Sequence, residues 1–384
     1  MTFALSETHR MVRQAAREFA EEQLAPGAVE RDEQAVFPYE QIKALGGLGF
    51  MGMMVPEEWG GAGLDTVSYA LAVEEISRVD ASAGVIMSVN NSLVCFGINT
   101  YGTADQKERY LRDLATGRKL GAFALSEPEA GSDASNQRTA AAAAGGEYVL
   151  NGVKNWITNG STADIVLVMA ATDRTRGPKG ISTFIVEKGT PGFSVARKEK
   201  KLGIRSSDTV SLSFQDCRVP LANRIGAEGE GFRFAMSTLE GGRVGIAAQA
   251  LGIAQASLDA SLRYARERKA FGKPIAELQA IQFKLADMAT TIEAARMLTL
   301  QAAWLKDQGR SFGQAASMAK LYASKTAVQA ALDAIQIHGG YGYVQEYLVE
   351  RYLRDAKITE IYEGTSEIQR VVIARSLLKE EHPD

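Results

Sequence analysis

The spacing of the apolar residues changes twice along this chain, and each change limits the fold that the chain can adopt. Residues 1–120 follow the spacing of amphipathic helices, residues 121–230 alternate with a period of two, and residues 231–384 return to the helical spacing. We therefore predict an α+β fold that is mainly α. It has a helical N-terminal domain, a middle antiparallel β-barrel or sandwich domain, and a C-terminal helical bundle.

The N-terminal part opens with a helix signal. Ser6 is the predicted N-cap, and the apolar residues of this first helix are Met11, Val12, Ala15 and Phe19. A stretch with three glycines follows at residues 55–65. It lacks the residue order and the strand–turn–helix context of a dinucleotide-binding loop, so we interpret it as a plain turn.

The middle part contains short segments of alternating or continuous apolar character, separated by Gly and Pro turns. These segments predict strands at residues 148–150, Ile165–Ala171, Ile181–Glu187 and residues 210–215. The alanine run at residues 140–144 has glycines beside it, and we interpret it as the edge of a loop.

Two long apolar stripes at helical spacing mark the C-terminal part as a bundle of core helices. The first stripe consists of Val244, Ala248, Leu251, Leu258 and Leu262, and the second of Ile281, Leu285, Met288, Ile292 and Ala295.

Charge and cysteine content exclude several classes of protein. The net charge of −3 over 384 residues gives no bulk attraction to nucleic acid or to an anionic membrane. Disulfide frameworks and Cys/His metal sites need more residues than the chain has, which are Cys95, Cys217, His9, His338 and His382. No apolar run is expected to span a membrane. We predict a cytoplasmic protein, or one of an organelle matrix if a presequence has been removed.

One carboxylate stands where a predicted helix ends. Glu363 is followed by Gly364, and then Ser366 and Gln369 form a capping-box pattern for a new helix. We expect the apolar face of that helix to comprise Ile368, Val371, Val372 and Leu378. A loop carboxylate beside Ile361 and Tyr362 would lose solvent, which would raise its pKa and suit it to proton abstraction. A solvated surface Glu at a helix end is the alternative.

Two segments at the start of the middle part carry many small and hydroxyl residues. Residues 123–135 expose backbone N–H groups and short donors, which suits a flat polar ring system or a phosphate; a simple Ser/Gly turn is the alternative. Residues 151–160 contain Trp156, which would also suit the core.

Three further segments lie in the C-terminal part. Residues 239–252 hold Glu240 and Arg243, which would also form an ordinary charged pair in a first helical turn. Residues 266–282 contain an arginine suited to bidentate phosphate binding, and residues 336–343 contain glycines that allow a close backbone approach. We interpret His338 in the last segment as structural.

Together these segments resemble the acyl-CoA dehydrogenase family over nearly the whole chain. In that family the Glu of the sequence IYEGT, here Glu363, takes the α-proton of the substrate. The resemblance assigns FAD contacts to Phe123, Leu125, Ser126, Ser132, Trp156, Ile157, Thr158, Arg268, Phe271, Gln279, Gln336, Gly339, Gly340, Thr365 and Glu367. It assigns substrate contacts to Ser132, Glu240, Arg243 and Gly364, and it implies no metal.

The resemblance also implies an activity and partners. The activity is the FAD-dependent α,β-dehydrogenation of acyl-CoA thioesters to trans-2-enoyl-CoA, with electrons passed to an electron-transfer flavoprotein. Short acyl chains are implied, and Gly84 stands where glutaryl-type relatives have an arginine. Because family members complete the FAD site across a subunit boundary, a homodimer or homotetramer is expected. The alternatives are an oxidase-like flavoenzyme, a branched- or medium-chain dehydrogenase, and a non-catalytic acyl-CoA-binding protein.

The sequence offers no second base beside Glu363. Some family members place their catalytic Glu at the position that Gly242 occupies here, and Glu240 should point to another side of that helix. Leu348 and His338 depart from the common family pattern. We expect the first to affect only the start of a helix.

Overall fold

A computed structural model describes residues 4–380, so His382 lies outside the described part of the chain. The N-terminal helices are α1 (Glu7–Phe19), α2 (Ala28–Gln34), α3 (Tyr39–Gly47), α4 (Thr66–Val79), α5 (Ala81–Ser88), α6 (Phe96–Tyr101), α7 (Ala104–Gln106) and α8 (Arg112–Ala115). Wider π-helical turns adjoin them at Ala20–Leu24, Val89–Cys95 and Lys107–Leu111, and a short 3₁₀ turn lies at Glu57–Trp59.

The middle part contains eight strands. They are β1 (Gly121–Ala124), β2 (Ala140–Ala144), β3 (Glu147–Thr158), β4 (Ile165–Ala171), β5 (Ile181–Glu187), β6 (Phe193–Lys198), β7 (Thr209–Pro220) and β8 (Arg224–Ile225). They form one sheet in the order β6–β7–β3–β2–β4–β5–β8, and β1 pairs with β4. Most neighbours are antiparallel, as predicted, whereas the β1–β4 and β2–β4 pairs are parallel. Short 3₁₀ turns lie at Arg174–Gly180 and Leu221–Asn223.

Long helices follow the sheet. They are α9 (Gly231–Glu267), α10 (Gln279–Asp307), α11 (Gly313–His338), α12 (Val349–Thr359) and α13 (Ser366–Glu380). A small hairpin, β9 (Lys269–Ala270) with β10 (Lys273–Pro274), joins α9 to α10, and 3₁₀ turns lie at Ile275–Glu277 and Gly339–Tyr343. The predicted fold class of helical, sheet and helical parts is therefore confirmed.

The alternating pattern of the sequence predicted where the strands lie more accurately than where they begin and end. Residues 165–171 and 181–187 are strands with the predicted bounds, but the strand predicted at 148–150 runs from Glu147 to Thr158. Register shifts against β7 interrupt its alternation after Leu150 and after Lys154. The alanine run was predicted wrongly as a loop edge. It is β2, because a turn at two left-handed glycines folds it back onto β3, whose backbone supplies its hydrogen bonds.

The first helix begins as predicted, and its predicted apolar face is partly buried. Ser6 caps α1 by accepting a hydrogen bond from the backbone N–H of His9. Of the predicted residues, Phe19 is buried and Val12 packs against the core, whereas Met11 and Ala15 are exposed. The predicted stripes of α9 and α10 lie on the sides of those helices that pack inward, since Val244 and Leu251 in α9 and Met288, Ile292 and Ala295 in α10 are buried.

One helical stretch has the length and composition of a membrane span, contrary to our expectation. It covers the 21 residues from Ala81 to Tyr101 and includes α5 and α6. Of its most apolar window, 94% is buried inside the protein, where it packs against α4 and α9. Its apolar character is therefore accounted for by the protein core.

The three parts of the chain meet at α12. The Asp355 carboxylate accepts a hydrogen bond of 2.5 Å from the backbone N–H of Ile204 in the middle part, and burial raises the pKa of Asp355 to about 7. The neighbouring Arg354 forms an ion pair of 2.8 Å with Asp32 of α2. Leu348 precedes the first residue of α12, as expected for a helix start. The position of α12, and of the loop that follows it, is thus tied to the other two parts.

Gly252→Ala should destabilise the protein, because the new methyl carbon would lie 2.3 Å from the carbonyl oxygen of Glu74. The helices α4 and α9 would have to separate, and such overpacking costs about 1–3 kcal/mol of unfolding free energy. Gly47→Ala is the matched control, since Gly47 is also helical and has open space around it. Thermal unfolding should show a lower melting temperature for the first variant only, and equal values would contradict the close packing of α4 on α9.

Candidate active site

Glu363 lies on the loop between α12 and α13, where the sequence placed it. Its backbone has a φ of +52°, a left-handed value that is rare for a residue with a side chain. Its Oε2 atom is shielded from solvent and has no hydrogen-bond partner in the described part of the chain. Burial raises the pKa of Glu363 to about 7, although the positive charges of Lys320 and Arg243 act in the opposite direction. The site therefore contains a desolvated carboxylate that titrates near neutral pH.

The loop that carries Glu363 is fixed by side chains from two helices. The Gln369 side-chain amide donates to the carbonyl oxygens of Glu363 and Gly364 at 3.2 Å and 2.9 Å. Lys320 of α11 donates to the same Gly364 oxygen at 2.7 Å. Three donated hydrogen bonds thus hold two consecutive peptide groups.

The predicted capping box at the start of α13 is wrong in its details. Ser366 is the first helical residue, and the hydroxyl of Thr365 caps the helix by accepting from the backbone N–H of Ile368 at 3.3 Å. Gln369 donates to the loop carbonyls and so does not complete a box. The predicted apolar face is also not buried in this single chain, because Val371 and Leu378 are exposed.

Helix α9 faces the carboxylate at Gly242. A Cβ atom at this position would lie 2.1 Å from Glu363 Oε2, so the glycine makes room for the acid. Glu240 lies away from Glu363, beside Gly313 at the start of α11, and burial raises its pKa. The orientation that the sequence suggested for these residues thus agrees with the structure.

Arg243 lies on the same stretch of α9 and is buried. Its Nη1 atom donates to the Ser317 hydroxyl at 3.3 Å, and its Nε has no partner in the described chain. Burial lowers its pKa, while Glu240 and Glu363 act in the opposite direction. An ordinary surface ion pair with Glu240 is excluded, because Arg243 is buried and its guanidinium bonds to Ser317.

Two tyrosine hydroxyl groups near Glu363 pair with other polar side chains. The Tyr69 and Ser88 hydroxyl groups are 2.8 Å apart, and burial and the charge of Glu363 raise the pKa of Tyr69. The Tyr362 hydroxyl donates to the side-chain oxygen of Gln249, which is fully buried. Sequence reasoning missed Tyr69, Gln249 and Lys320. For Lys320 a signal existed, since it interrupts a run of alanines on the buried face of α11.

The two Ser/Gly-rich segments lie side by side. The backbone N–H of Asn155 donates to the Ser126 carbonyl at 2.9 Å. Lys154 is fully buried and donates to the Leu125 carbonyl at 3.1 Å and to Glu127 at 2.7 Å. The structure thus brings together the predicted cofactor residues Phe123, Leu125, Ser126, Ser132, Trp156, Ile157 and Thr158.

Trp156 is 62% exposed, which excludes the alternative that it belongs to the core. It sits at the register shift after Lys154 with a φ of +64°, and this bulge turns the indole outward. Ser132 is also exposed, whereas Phe123 and Leu125 are buried. An exposed indole next to short hydroxyl side chains fits a flat ring system. In the described chain no hydrogen bond joins this group to Glu363.

A third group of predicted residues surrounds a cavity at the end of α11. The cavity has a volume of about 760 Å³ and is lined by Tyr264, Arg268, Ile275, Ile337, His338, Gly339, Gly340, Tyr341, Val344, Glu346 and Tyr347. Arg268 lies over the Tyr341 ring, 5.5 Å from its centroid. Phe271 is 92% exposed, and Gln279 and Gln336 are exposed too. These side chains face outward from the single chain.

His338 packs inside that cavity wall. Its Nδ1 donates to the Ala334 carbonyl at 2.7 Å, and its ring stacks on Tyr264 at 4.2 Å between centroids. This contact pattern is that of a structural residue. Within residues 4–380, no three His, Cys, Asp or Glu residues are close enough to hold a metal ion, and both cysteines are buried and free.

Three family domains match successive parts of the chain. The N-terminal domain of acyl-CoA dehydrogenases matches residues 6–118, the middle domain residues 122–217, and the C-terminal domain residues 229–378.

Individual proteins are similar over nearly the whole chain. The mitochondrial short-chain specific acyl-CoA dehydrogenase of Mus musculus is 55% identical over 375 residues, covering 98% of this chain and 91% of that protein. Butyryl-CoA dehydrogenase from Megasphaera elsdenii has a TM-score of 0.97 at 48% identity, covering 99% and 100% of the two chains. A chain in the solved structure of the electron transferring flavoprotein of Acidaminococcus fermentans has a TM-score of 0.98 at 51% identity, with the same coverage. With its three domains matched in order, this chain belongs to the acyl-CoA dehydrogenase family.

Proposed function

We propose that this protein is an FAD-dependent dehydrogenase that converts short-chain acyl-CoA thioesters to trans-2-enoyl-CoA, with Glu363 as the catalytic base. The observation that carries the proposal is the Glu363 carboxylate, which is desolvated, has an unpaired Oε2 and has a pKa of about 7. The names of two similar proteins support the substrate class, since one is short-chain specific and the other is a butyryl-CoA dehydrogenase.

Removal of the α-proton requires the ionised form of Glu363. A pKa near 7 keeps part of the base ionised at neutral pH and makes it a stronger proton acceptor than a solvated carboxylate. Negative charge gathers on the thioester oxygen as the proton leaves, and a fixed N–H donor lowers the barrier to this step. The backbone N–H of Glu363 has no acceptor among the described residues, so it is available for that oxygen.

Two regions of the chain fit FAD. Trp156 offers an exposed indole, and Ser126 and Thr158 supply hydroxyl groups on the two adjacent segments. Arg268 lies in the cavity at the end of α11, where a guanidinium group can pair with a phosphate in a bidentate manner. Bound FAD would supply the acceptor for the β-hydride of the substrate.

We assign the thioester and CoA contacts to four residues from different parts of the chain. They are Ser132, Glu240, Arg243 and Gly364. Among the described residues, Arg243 Nε has no hydrogen-bond partner and Glu240 is in no ion pair, so both have polar atoms left for a ligand. The remaining proposed cofactor residues Gln279, Gln336, Thr365 and Glu367 lie at helix ends, where backbone groups are also available.

The packing around Glu363 favours a short acyl chain. The Tyr69 and Ser88 hydroxyl groups lie against Gly245 of α9, about one helical turn from the glycine that faces the base. An acidic acyl tail would lack a partner at Gly84. There, a side chain would begin 2.0 Å from the Ser77 hydroxyl oxygen, so an arginine would not fit without rearrangement.

Exposed apolar side chains fit the expected assembly. Phe271, Tyr343 and Leu378 are 92%, 87% and 66% exposed in the single chain, and contact with a second subunit would bury them. We propose a homodimer or homotetramer that completes the FAD site between subunits. The similarity to a chain from the Acidaminococcus fermentans electron transferring flavoprotein structure supports such a flavoprotein as electron acceptor. A cytoplasmic or organelle-matrix location stays a prediction.

Arg268→Ala should lower FAD retention and weaken subunit assembly together, because the arginine lies on the proposed shared cavity. Arg266→Ala is the control, since Arg266 is an exposed residue of the same helix end. Flavin absorbance of the purified protein and sedimentation velocity measure the two effects. Full flavin content with unchanged assembly in Arg268→Ala would show that the arginine is misplaced in this proposal.

Glu363→Gln should retain flavin and CoA binding but reduce the rate of flavin reduction by about 10²–10⁴-fold, because the base is lost. Gly242→Glu should restore part of that rate when it is combined with Glu363→Gly. The second substitution is needed because a Cβ at residue 242 would lie 2.1 Å from Glu363 Oε2, so the two side chains cannot coexist. Anaerobic rapid mixing with butyryl-CoA measures both rates. A near-wild-type rate in Glu363→Gln would remove Glu363 from the mechanism.

Butyryl-CoA should have a higher specificity constant than octanoyl-CoA and glutaryl-CoA, because Tyr69 and Ser88 pack against α9 close to Gly242 and Gly84 offers no cation. Steady-state kinetics with a graded series of acyl-CoAs measures this order. A preference for the octanoyl thioester would contradict the short-chain assignment but leave the reaction type intact.

A further inference from the structure

Lys320 is a buried lysine that the mechanism above does not use. It lies in the middle of α11, and its side chain has no exposed surface. Its ammonium group donates to the Gly364 carbonyl oxygen at 2.7 Å, one residue after the proposed base. A buried ammonium group is costly unless a nearby group compensates its charge, so its position calls for a physical reason.

Two effects of Lys320 converge on Glu363. The first is geometric, because its hydrogen bond to Gly364 helps to hold the loop in which Glu363 keeps its left-handed backbone. The second is electrostatic, because Glu363 is the charged group that most favours the protonated form of Lys320. The influence is mutual, since Lys320 is the strongest opposing charge acting on Glu363.

We propose that Lys320 is a positioning residue for the base: it fixes the Gly364–Thr365 peptide group next to Glu363 and supplies the buried positive charge that stabilises the ionised carboxylate. This inference rests on the proposed role of Glu363. Lys320 itself touches neither the reacting atoms nor, through a hydrogen bond, the carboxylate.

Other titratable groups around Lys320 and Glu363 also act on the charges of this pair. From α9, Arg243 also stabilises the Glu363 anion, but its guanidinium is hydrogen-bonded to Ser317. The remaining titratable groups that act on the pair are Glu360, Glu367, Tyr69 and Tyr362. The carboxylates raise the pKa of Lys320 and thus keep it charged, whereas burial lowers that pKa to about 8.

The sign of the pH effect follows from these charges. Flavin reduction needs ionised Glu363, so its rate should rise as pH increases through the pKa of about 7. Without the Lys320 charge, less positive charge counteracts the effect of burial on Glu363. The pKa of Glu363 should therefore rise by about one unit, and the pH–rate profile should move to higher pH. A purely structural lysine would change the rate or the stability without moving the profile.

The test compares three variants of the flavin-loaded protein with the wild type. Lys320→Met removes the charge and the hydrogen bond, and Gln369→Met removes the other donor to Gly364 without changing any charge. Lys306→Met is the control for loss of a buried lysine, because burial also lowers the pKa of Lys306 to about 8 but its charge partner is Asp307. Anaerobic flavin reduction by butyryl-CoA is followed by rapid mixing from about pH 6 to about pH 9. This range includes the pKa values of Glu363 and Lys320.

Lys320→Met should raise the apparent pKa by about one unit and lower the limiting rate about tenfold, because the loop also loses an anchor. Gln369→Met should lower the rate with the pKa unmoved, and Lys306→Met should leave the pKa unmoved as well. An unchanged apparent pKa in Lys320→Met would overturn the proposal. If Lys320→Met does not fold, Lys320→Gln replaces it, since this variant keeps a donor but loses the charge.

A second measurement does not depend on catalysis. The melting temperature at pH 8 is compared for the wild type, Lys320→Met, Glu363→Gln and the double variant. Because the folded-state pKa of Glu363 is raised, its ionisation costs stability progressively from pH 4.5 to 7, and the full cost is present at pH 8. Lys320→Met should therefore lower the melting temperature less in the Glu363→Gln background than in the wild-type background.

The two measurements separate the possible failures. Equal losses in both backgrounds would show that the two charges do not interact, and the proposal would fail. A further outcome is that no acyl-CoA reduces the flavin of the wild type, while the losses of melting temperature differ between the two backgrounds. The proposed function then fails, but the Lys320–Glu363 coupling stands.

Discussion

The burial of one carboxylate between α9 and α11 is the constraint on which the rest of the site depends. An isolated carboxylate taken out of water would be neutral at physiological pH, because desolvation disfavours its charged form. Two cations, Arg243 from α9 and Lys320 from α11, act against that effect and leave Glu363 with a pKa of about 7. Neither cation forms a hydrogen bond with the carboxylate, so the acid stays both basic and free to meet a substrate.

This balance requires that parts distant in sequence keep fixed positions. Glu363 follows α12, whose Asp355 accepts from the backbone of Ile204, while Arg354 reaches Asp32 of α2. A shift of α12 relative to the sheet or to the N-terminal helices would therefore move the base relative to Gly242. The left-handed backbone of Glu363 is the kind of strain that persists only when its surroundings determine it fully.

The sequence predicted the features that depend on neighbouring residues and missed those that depend on contacts between distant residues. The helical and strand regions, the Ser6 cap and the loop position of Glu363 each follow from a few neighbouring residues. The strand at 140–144 exists only because its partner β3 folds back onto it, and alanines carry little strand preference of their own. Trp156 is exposed because a bulge after Lys154 reverses the side on which it lies. No local pattern records such a register shift.

The glycines of α9 explain why the position of Glu363 and the depth of the proposed acyl site are set together. Gly242, Gly245 and Gly252 lie on one side of the helix, at 100° per residue. A side chain at the first would meet Glu363, one at the second would meet Ser88 and Tyr69, and one at the third would meet the backbone of α4. The absence of side chains along this strip lets the loop and α4 approach α9 closely. The same close approach shields the Glu363 carboxylate and brings Tyr69 and Ser88 against the helix, so the raised pKa of Glu363 and the proposed short acyl site follow from one packing arrangement.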